Sequence, residues 1–274
     1  MFPRLASIAL AASLTAVCFA QESAATPDPQ ALSLHDILVR LQNNLTDYMT
    51  NVPTFYCNEQ VISTRKQPGL PNKRTTTDSI FRLRRDSRLG KQVLTESREI
   101  KTVDGLRANG EELHGPSILN GVFSTGAGIV SLGMSRCFNY KLEPPGTLNK
   151  TRAIIISFSL KPEMLSNPSC PSLENQSGRA FIDPVTLHTE RVETRIPNHQ
   201  VSPSLKVLWT WVVDYAPVSF AGKQFWMPKK ITSEADSNDG SSTWTFMANY
   251  SNYHKLTVSS HIITDVGDNP PPPQ

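Results

Sequence analysis

The sequence lacks the short motifs that mark the active sites of common enzyme classes. It has no HExxH pattern for zinc, no P-loop for nucleotides, no GxSxG turn for a nucleophilic serine and no GxGxxG turn for a dinucleotide. The only compact group of acids with an imidazole is Glu111, Glu112 and His114, which we assign to a solvated loop, with a metal or acid–base site as the alternative. We therefore predict no catalytic residue, no metal site and no cofactor, and a hydrolase is the least favoured function.

Excess charge of one sign is also missing. The 27 Lys and Arg residues nearly balance the 24 Asp and Glu residues, for a formal net charge of +3. This balance argues against a nucleic-acid partner, because such proteins concentrate basic residues on one face. The one dense basic cluster, Arg82–Arg88, predicts the solvated face and turn of a hairpin, with a contact for anionic lipid or for an acidic partner as the alternative.

Long hydrophobic runs occur only at the start of the chain. Residues 1–20 have a basic Arg4, an apolar stretch and a small-residue end, which is typical of a cleaved secretory signal peptide. A retained anchor is the alternative, and lipidation of Cys18 is disfavoured because Val17 precedes it. We predict a soluble, exported protein that is not transmembrane. Residues 21–31 are predicted to be a disordered leader, and residues 265–274 a Pro-rich tail.

Cysteine is scarce as well. Three cysteines remain beyond the signal peptide, so an oxidising compartment permits one disulfide and one free thiol. Cys137 and Cys170 flank a predicted strand, and their pairing would pin the loop after it, so we favour that pair. The alternatives are that Cys57 is one of the partners or that it is a buried free thiol.

What the sequence does contain is one amphipathic helix followed by many strands. Residues 32–49 place apolar side chains at spacings of three and four, with Ser33 as the N-cap. Apolar and polar residues then alternate in strand-like segments at 55–65, 78–85, 92–103, 137–143 and 152–160, and in five more segments between 177 and 256. Asp183-Pro184 predicts a turn in which Asp183 bonds backbone two residues on.

A Gly-rich insertion at residues 104–135 interrupts this series. Residues 117–123, opened by Pro116, predict a short helix. The insertion is either a lid or binding loop, or a crossover packed on the sheet. We predict that residues 32–264, including the insertion, form a single domain.

One helix and this many antiparallel strands predict an α+β fold. A sheet of about nine to eleven strands must curl, and the helix would pack on its concave side, giving a half-barrel. Aromatic residues of the strands are candidates for the lining of an apolar cavity, with ordinary core packing as the alternative for each of them. The candidates are Phe81, Phe158, Phe181, Trp209, Trp211, Trp244 and Phe246.

Two segments carry a resemblance to known proteins. The hairpin SGRAFIDPVTLHTERVE resembles that of the periplasmic lipoprotein carriers of the LolA/LolB group. VDYAPVSFAGKQFWMPKKITSEA, with the following ANYSNYHKLTVSSHI, resembles the late strands of a group of exported bacterial proteins. The resemblance implies a protein of the bacterial periplasm or exterior. It also implies a half-barrel that carries a lipid or a lipoprotein, with an envelope protein as the alternative partner. The insertion, the cysteines and the Pro-rich tail depart from the carrier pattern.

Overall fold

The structure is a computed structural model, and it describes residues 32–88, 91–108, 121–170 and 174–256. The predicted signal peptide, leader and Pro-rich tail, together with Glu111, Glu112 and His114, lie outside these residues. Within the described ranges, no helix combines the length and the apolar composition needed to cross a bilayer.

Helix α1 spans Leu34–Asn51, and a one-turn helix α2 spans Val122–Thr125. Two 3-10 turns lie at Leu132–Met134 and Pro162–Met164. The strands are β1 (Phe55–Lys66), β2 (Lys73–Arg88), β3 (Lys91–Val103), β4 (Leu106–Arg107), β5 (Phe138–Leu142), β6 (Gly146–Leu148), β7 (Thr151–Leu160), β8 (Ser177–Ile182), β9 (Thr189–Ser202), β10 (Leu205–Phe220), β11 (Lys223–Ser237) and β12 (Thr243–Lys255).

All twelve strands belong to one antiparallel sheet that does not close. Their order is β4-β3-β2-β1-β12-β11-β10-β9-β8-β7-β5, and β6 pairs with the first three residues of β7. Every neighbouring pair is antiparallel, as the alternating sequence pattern predicts. The first and last long strands, β1 and β12, are neighbours in the middle of the sheet. The predicted fold, an open α+β half-barrel with the helix on its concave side, is confirmed.

Helix α1 covers the concave face through its apolar stripe. Ile37, Leu38, Leu41 and Tyr48 are buried in the same core cluster as inward-facing residues of the strands. The Ser33 hydroxyl accepts a hydrogen bond from the Asp36 backbone N–H at 3.2 Å, which confirms the predicted N-cap.

The far end of α1 is held by a contact that the sequence pattern did not reveal. The Arg85 guanidinium donates hydrogen bonds to the carbonyl oxygens of Met49 and Val52, each at 2.9 Å. These carbonyls lie where a helix leaves its last acceptors unpaired, so a cation there is favourable. Part of the basic cluster Arg82–Arg88 therefore serves the fold rather than a partner.

Strand β2 and helix α2 differ from their predicted bounds. β2 begins at Lys73 rather than at Asp78, because Thr75 and Thr77 occupy inward-facing positions that a hydrophobicity pattern does not recognise. α2 begins only at Val122, because Gly121 has a φ of 99°, which a right-handed helix cannot contain. The described part of the insertion is packed on the sheet, with Phe123 fully buried.

Two local features match the sequence reasoning closely. Asp183 Oδ1 accepts hydrogen bonds from the backbone N–H groups of Val185 and Thr186, at 2.9 and 2.6 Å, which confirms the predicted turn. The structure joins Cys137 and Cys170 in a disulfide, which ties the start of β5 to the loop after β7, and Cys57 is a buried free thiol.

Gly178 in β8 permits a close approach between neighbouring strands. A methyl group at this position would overlap the carbonyl oxygen of Glu193 and come within 2.5 Å of Phe158 Cζ. The Phe158 ring therefore packs against residue 178 at a distance that only a residue without a side chain allows.

Gly178→Ala is expected to lower the free energy of unfolding by about 2–3 kcal/mol, because the backbone of Glu193 cannot yield as a side chain can. Gly133→Ala is the matched control, since a methyl there meets only the movable Oε1 of Gln42. Urea denaturation of both variants measures the difference. Equal stability of the two would contradict the close packing at Gly178.

Candidate functional site

The concave face is covered at one end of the sheet by the helices. The Asn44 side chain donates a hydrogen bond to the Leu187 carbonyl at 2.8 Å, and the Lys223 ammonium lies 2.7 Å from the Asp47 carboxylate. These contacts fix α1 to the turns that precede β9 and β11. The hairpins β1–β2, β9–β10 and β11–β12 turn at the opposite end, where Trp209, Trp211 and Trp244 remain partly exposed.

Two rows of side chains cross the concave face at this second end. Directly opposed residues on neighbouring strands share a face, so the strand register defines each row. The inner row is Tyr140, Phe158, Gly178, Thr194, Trp211, Ser233, Phe246, Ser63 and Thr75. The outer row is Ile196, Trp209, Ala235, Trp244, Arg65 and Lys73.

The rows contain five of the seven predicted lining residues. Phe158, Trp211 and Phe246 stand in the inner row, and Trp209 and Trp244 stand in the outer row. The Trp209 indole N–H donates to the Ser233 hydroxyl at 2.8 Å, so its polar atom is satisfied within the sheet. These five side chains, which we call the aromatic surface, share the concave face, with smaller residues between them in each row. The three tryptophans are partly exposed, and Phe158 and Phe246 are buried.

The other two predicted lining residues lie elsewhere. Phe81 faces the same side but is fully buried beneath α2, with its ring centroid 4.4 Å from that of Phe123. Phe181 lies on the opposite face, where it packs with Leu148, Ala153 and Ile155 in a separate cluster. The prediction placed Phe181 with the others because Ala180, Phe181 and Ile182 are all apolar and give no alternation.

Open space is larger at the uncovered end than beneath the helix. A depression of about 690 Å³ extends over β5 and β7–β10, and its lining includes Phe158, Gly178, Thr194 and Trp211. The cavity between α1 and the sheet is only about 60 Å³. Among the described residues, the larger open volume thus lies at the uncovered end rather than between α1 and the sheet.

The lining also contains one polar atom without a partner. The Thr194 hydroxyl is buried, and no group in the described part of the chain hydrogen-bonds to it. Such a hydroxyl costs free energy when left unpaired and can donate to an oxygen of a bound molecule.

A buried ionic network lies deeper on the concave face and was missed by sequence reasoning. Arg98 Nε donates to both carboxylate oxygens of Glu59 at 2.9 Å, and the guanidinium carbon lies 4.8 Å from the centre of the Phe81 ring. Glu96 accepts hydrogen bonds from the backbone N–H groups of Phe123 and Ser124 at 2.8 and 2.7 Å. The network therefore connects β1 and β3 with the start of α2.

Burial raises the pKa of the Glu59 carboxyl, and the adjacent Arg98 guanidinium opposes the rise. Because the pKa in the folded protein lies above the unfolded value, ionisation of Glu59 costs the folded state free energy as pH rises through that raised pKa. Strand alternation in β1 did not signal this, because Glu59 occupies an inward position between the apolar Cys57 and Val61.

Arg98→Met is expected to lower the free energy of unfolding at pH 7 by about 3 kcal/mol, because it leaves the Glu59 carboxyl buried without the cation that opposes the rise of its pKa. Glu99→Gln removes an exposed carboxylate of β3 that pairs with Arg82 on the neighbouring strand β2. This variant should change the free energy of unfolding by less than about 1 kcal/mol. Urea denaturation compares the two variants. A larger loss from Glu99→Gln would contradict a structural role for the network.

No group of three acids, histidines or cysteines within the described ranges is placed to hold a metal ion. The His199 ring lies against Trp209, with ring centres 4.4 Å apart, and its Nδ1 is 2.7 Å from the Glu174 carboxylate. This contact places an imidazole and an acid at the edge of the aromatic surface, where they support Trp209.

No protein-family model matches the sequence, and no curated protein matches it. A LolA superfamily protein from Nitrosomonas europaea is 11% identical with a TM-score of 0.36, and the match covers 84% of this chain and 96% of that one. A DUF1329 family protein from Desulfovibrio piger is 9% identical with a TM-score of 0.40, covering 81% and 95%. A domain from Vibrio parahaemolyticus, described as an outer membrane lipoprotein-sorting protein, is 9% identical with a TM-score of 0.38, covering 80% and 93%.

Identities and TM-scores this low transfer neither a ligand nor an activity to this chain. Its architecture, an open antiparallel half-barrel, follows from its own strand pairing.

Proposed function

We propose that this protein is exported to the bacterial cell envelope and binds an apolar ligand, a lipid or a lipid-modified protein, at the open end of its concave face. The observation that carries the proposal is the aromatic surface of Phe158, Trp209, Trp211, Trp244 and Phe246, whose three tryptophans stay partly exposed beside a depression large enough for an acyl chain. Large apolar surface that a protein leaves partly exposed is typical of a binding site.

Two further features support the same proposal. The signal-like residues 1–20 favour export, and a disulfide between Cys137 and Cys170 would persist only in an oxidising compartment. The unpaired Thr194 hydroxyl could donate to an ester or amide oxygen of an acyl ligand. Binding rather than catalysis is the proposed role.

The test is native mass spectrometry of the full chain expressed with its own signal sequence in a bacterium, followed by lipid extraction. A bound mass that is released as a lipid or an acyl chain is expected. Trp211→Lys should abolish the bound mass, because it places a charge in the aromatic surface, whereas Thr210→Lys, on the other face of β10, should retain it.

Thermal unfolding of both variants separates loss of ligand from loss of fold. Trp244→Lys, at the rim of the sheet, provides a second variant if Trp211→Lys fails to fold. A bare polypeptide mass for the wild-type protein, or equal retention of ligand by all three variants, would contradict the proposed function.

A second candidate function is that of an envelope module that binds a protein partner. β4 pairs with β3 only at Thr102 and Val103, so the preceding edge of β3 has no neighbouring strand in the described part of the chain. An unpaired strand edge can accept a strand from another protein. Crosslinking in the envelope that captures one specific protein at β3, with no co-purifying lipid, would favour this function.

A further inference from the structure

The outer row changes character at its β1–β2 end, from aromatic to cationic. Arg65 is directly opposite Trp244 on one side and Lys73 on the other, and all three face the concave side. Both side chains are exposed, and no described residue forms an ion pair or a hydrogen bond with either charged group. Like charges on directly opposed residues of an antiparallel pair repel each other.

The hairpin β1–β2 provides no acid near these two cations to relieve this repulsion. The sequence from Gln60 to Thr77 contains no Asp or Glu. On the outward face of the same hairpin the situation differs. Burial and the adjacent Asp236 raise the pKa of the Glu234 carboxyl, and the nearby Lys66 opposes that rise. Lys66 thus has an acidic neighbour, whereas no described residue forms an ion pair with Arg65 or Lys73.

The cationic pair continues directly into the aromatic surface. Trp244 is half-buried and stands outside the main core cluster, and Ala235 and Trp209 follow it in the same row. From Arg65 on β1 to Trp209 on β10 there are three strand spacings, or about 14 Å. One leaflet of a bilayer core is about 15 Å thick, so this length fits one acyl chain.

We propose that Arg65 and Lys73 bind the anionic head group of an amphiphile whose single hydrocarbon chain lies along Trp244 and Trp209. The inference rests on the proposed function and narrows its ligand to a long-chain carboxylate or phosphate bound as a monomer. Charge complementarity selects the head group, and burial of apolar surface supplies the affinity for the chain.

The test uses laurate and dodecyl phosphate as anionic probes and monolaurin as the uncharged probe, each below its critical micelle concentration. Isothermal titration is performed on the wild-type protein, on R65Q/K73Q and on K66Q/R74Q. The last variant removes the same charge from the same hairpin, but from the outward face, and is the matched control.

The wild-type protein is expected to bind both anions about tenfold more tightly than monolaurin. Two contacts with exposed charges, each of them weak, together allow a preference of this size. R65Q/K73Q should lose this tenfold preference and bind monolaurin unchanged, and K66Q/R74Q should keep the preference. Inorganic phosphate, which has no chain, should not compete with laurate.

Other outcomes overturn the inference in distinguishable ways. Equal binding of all three probes by the wild-type protein leaves the proposed function standing but refutes the anion site, whereas no binding of any probe refutes both. An equal loss in K66Q/R74Q assigns the preference to net charge. Binding only to vesicles of anionic phospholipid assigns the hairpin to a membrane surface, and displacement of laurate by inorganic phosphate assigns the cations to a free anion.

Discussion

The pairing of β1 with β12 is the constraint on which the rest of the structure depends. These strands come from opposite ends of the described chain, and their eleven registered partners run from Phe55 with Lys255 to Lys66 with Thr243. Without this pairing, β1–β4 and β5–β12 would form two separate sheets. The pairing also places Arg65 beside Trp244, and so brings the cationic pair into line with the aromatic surface. Because this pairing closes a loop from β1 to β12, it costs conformational entropy, which the contacts of the other strands offset.

The concave face serves two different purposes along its length. At the end held by α1, apolar side chains and the rings of Phe55, Phe81 and Phe123 fill the space between the described elements. At the other end, the short hydroxyl side chains of Ser233 and Ser63 stand on either side of Phe246, and Trp211 follows Ser233 in the same row. Small residues beside large aromatic ones leave depressions rather than a flat surface, which is what a chain-like ligand requires.

The buried Glu59–Arg98 pair lies between these two regions. An ion pair in such a place contributes little net stability compared with apolar residues of the same size, yet removing one partner is costly. Strand β3, which contains Arg98, also holds the backbone of α2 through Glu96. The Arg98 guanidinium packs on the Phe81 ring of β2 and so supports the ring cluster. The pair thus specifies how the insertion packs on the sheet and keeps that end of the concave face closed.

Sequence alone determined the helix, most strands, the turn at Asp183 and five of the residues that share the open concave face, because period, N-caps and turn chemistry are local properties. It did not determine the outward position of Phe181, the start of β2 at Lys73, the capping of α1 by Arg85 or the burial of Glu59. Each of these depends on which strands pair and in what register. A period of two assigns residues to two faces but does not say which face a neighbouring element covers, and only the tertiary structure decides that.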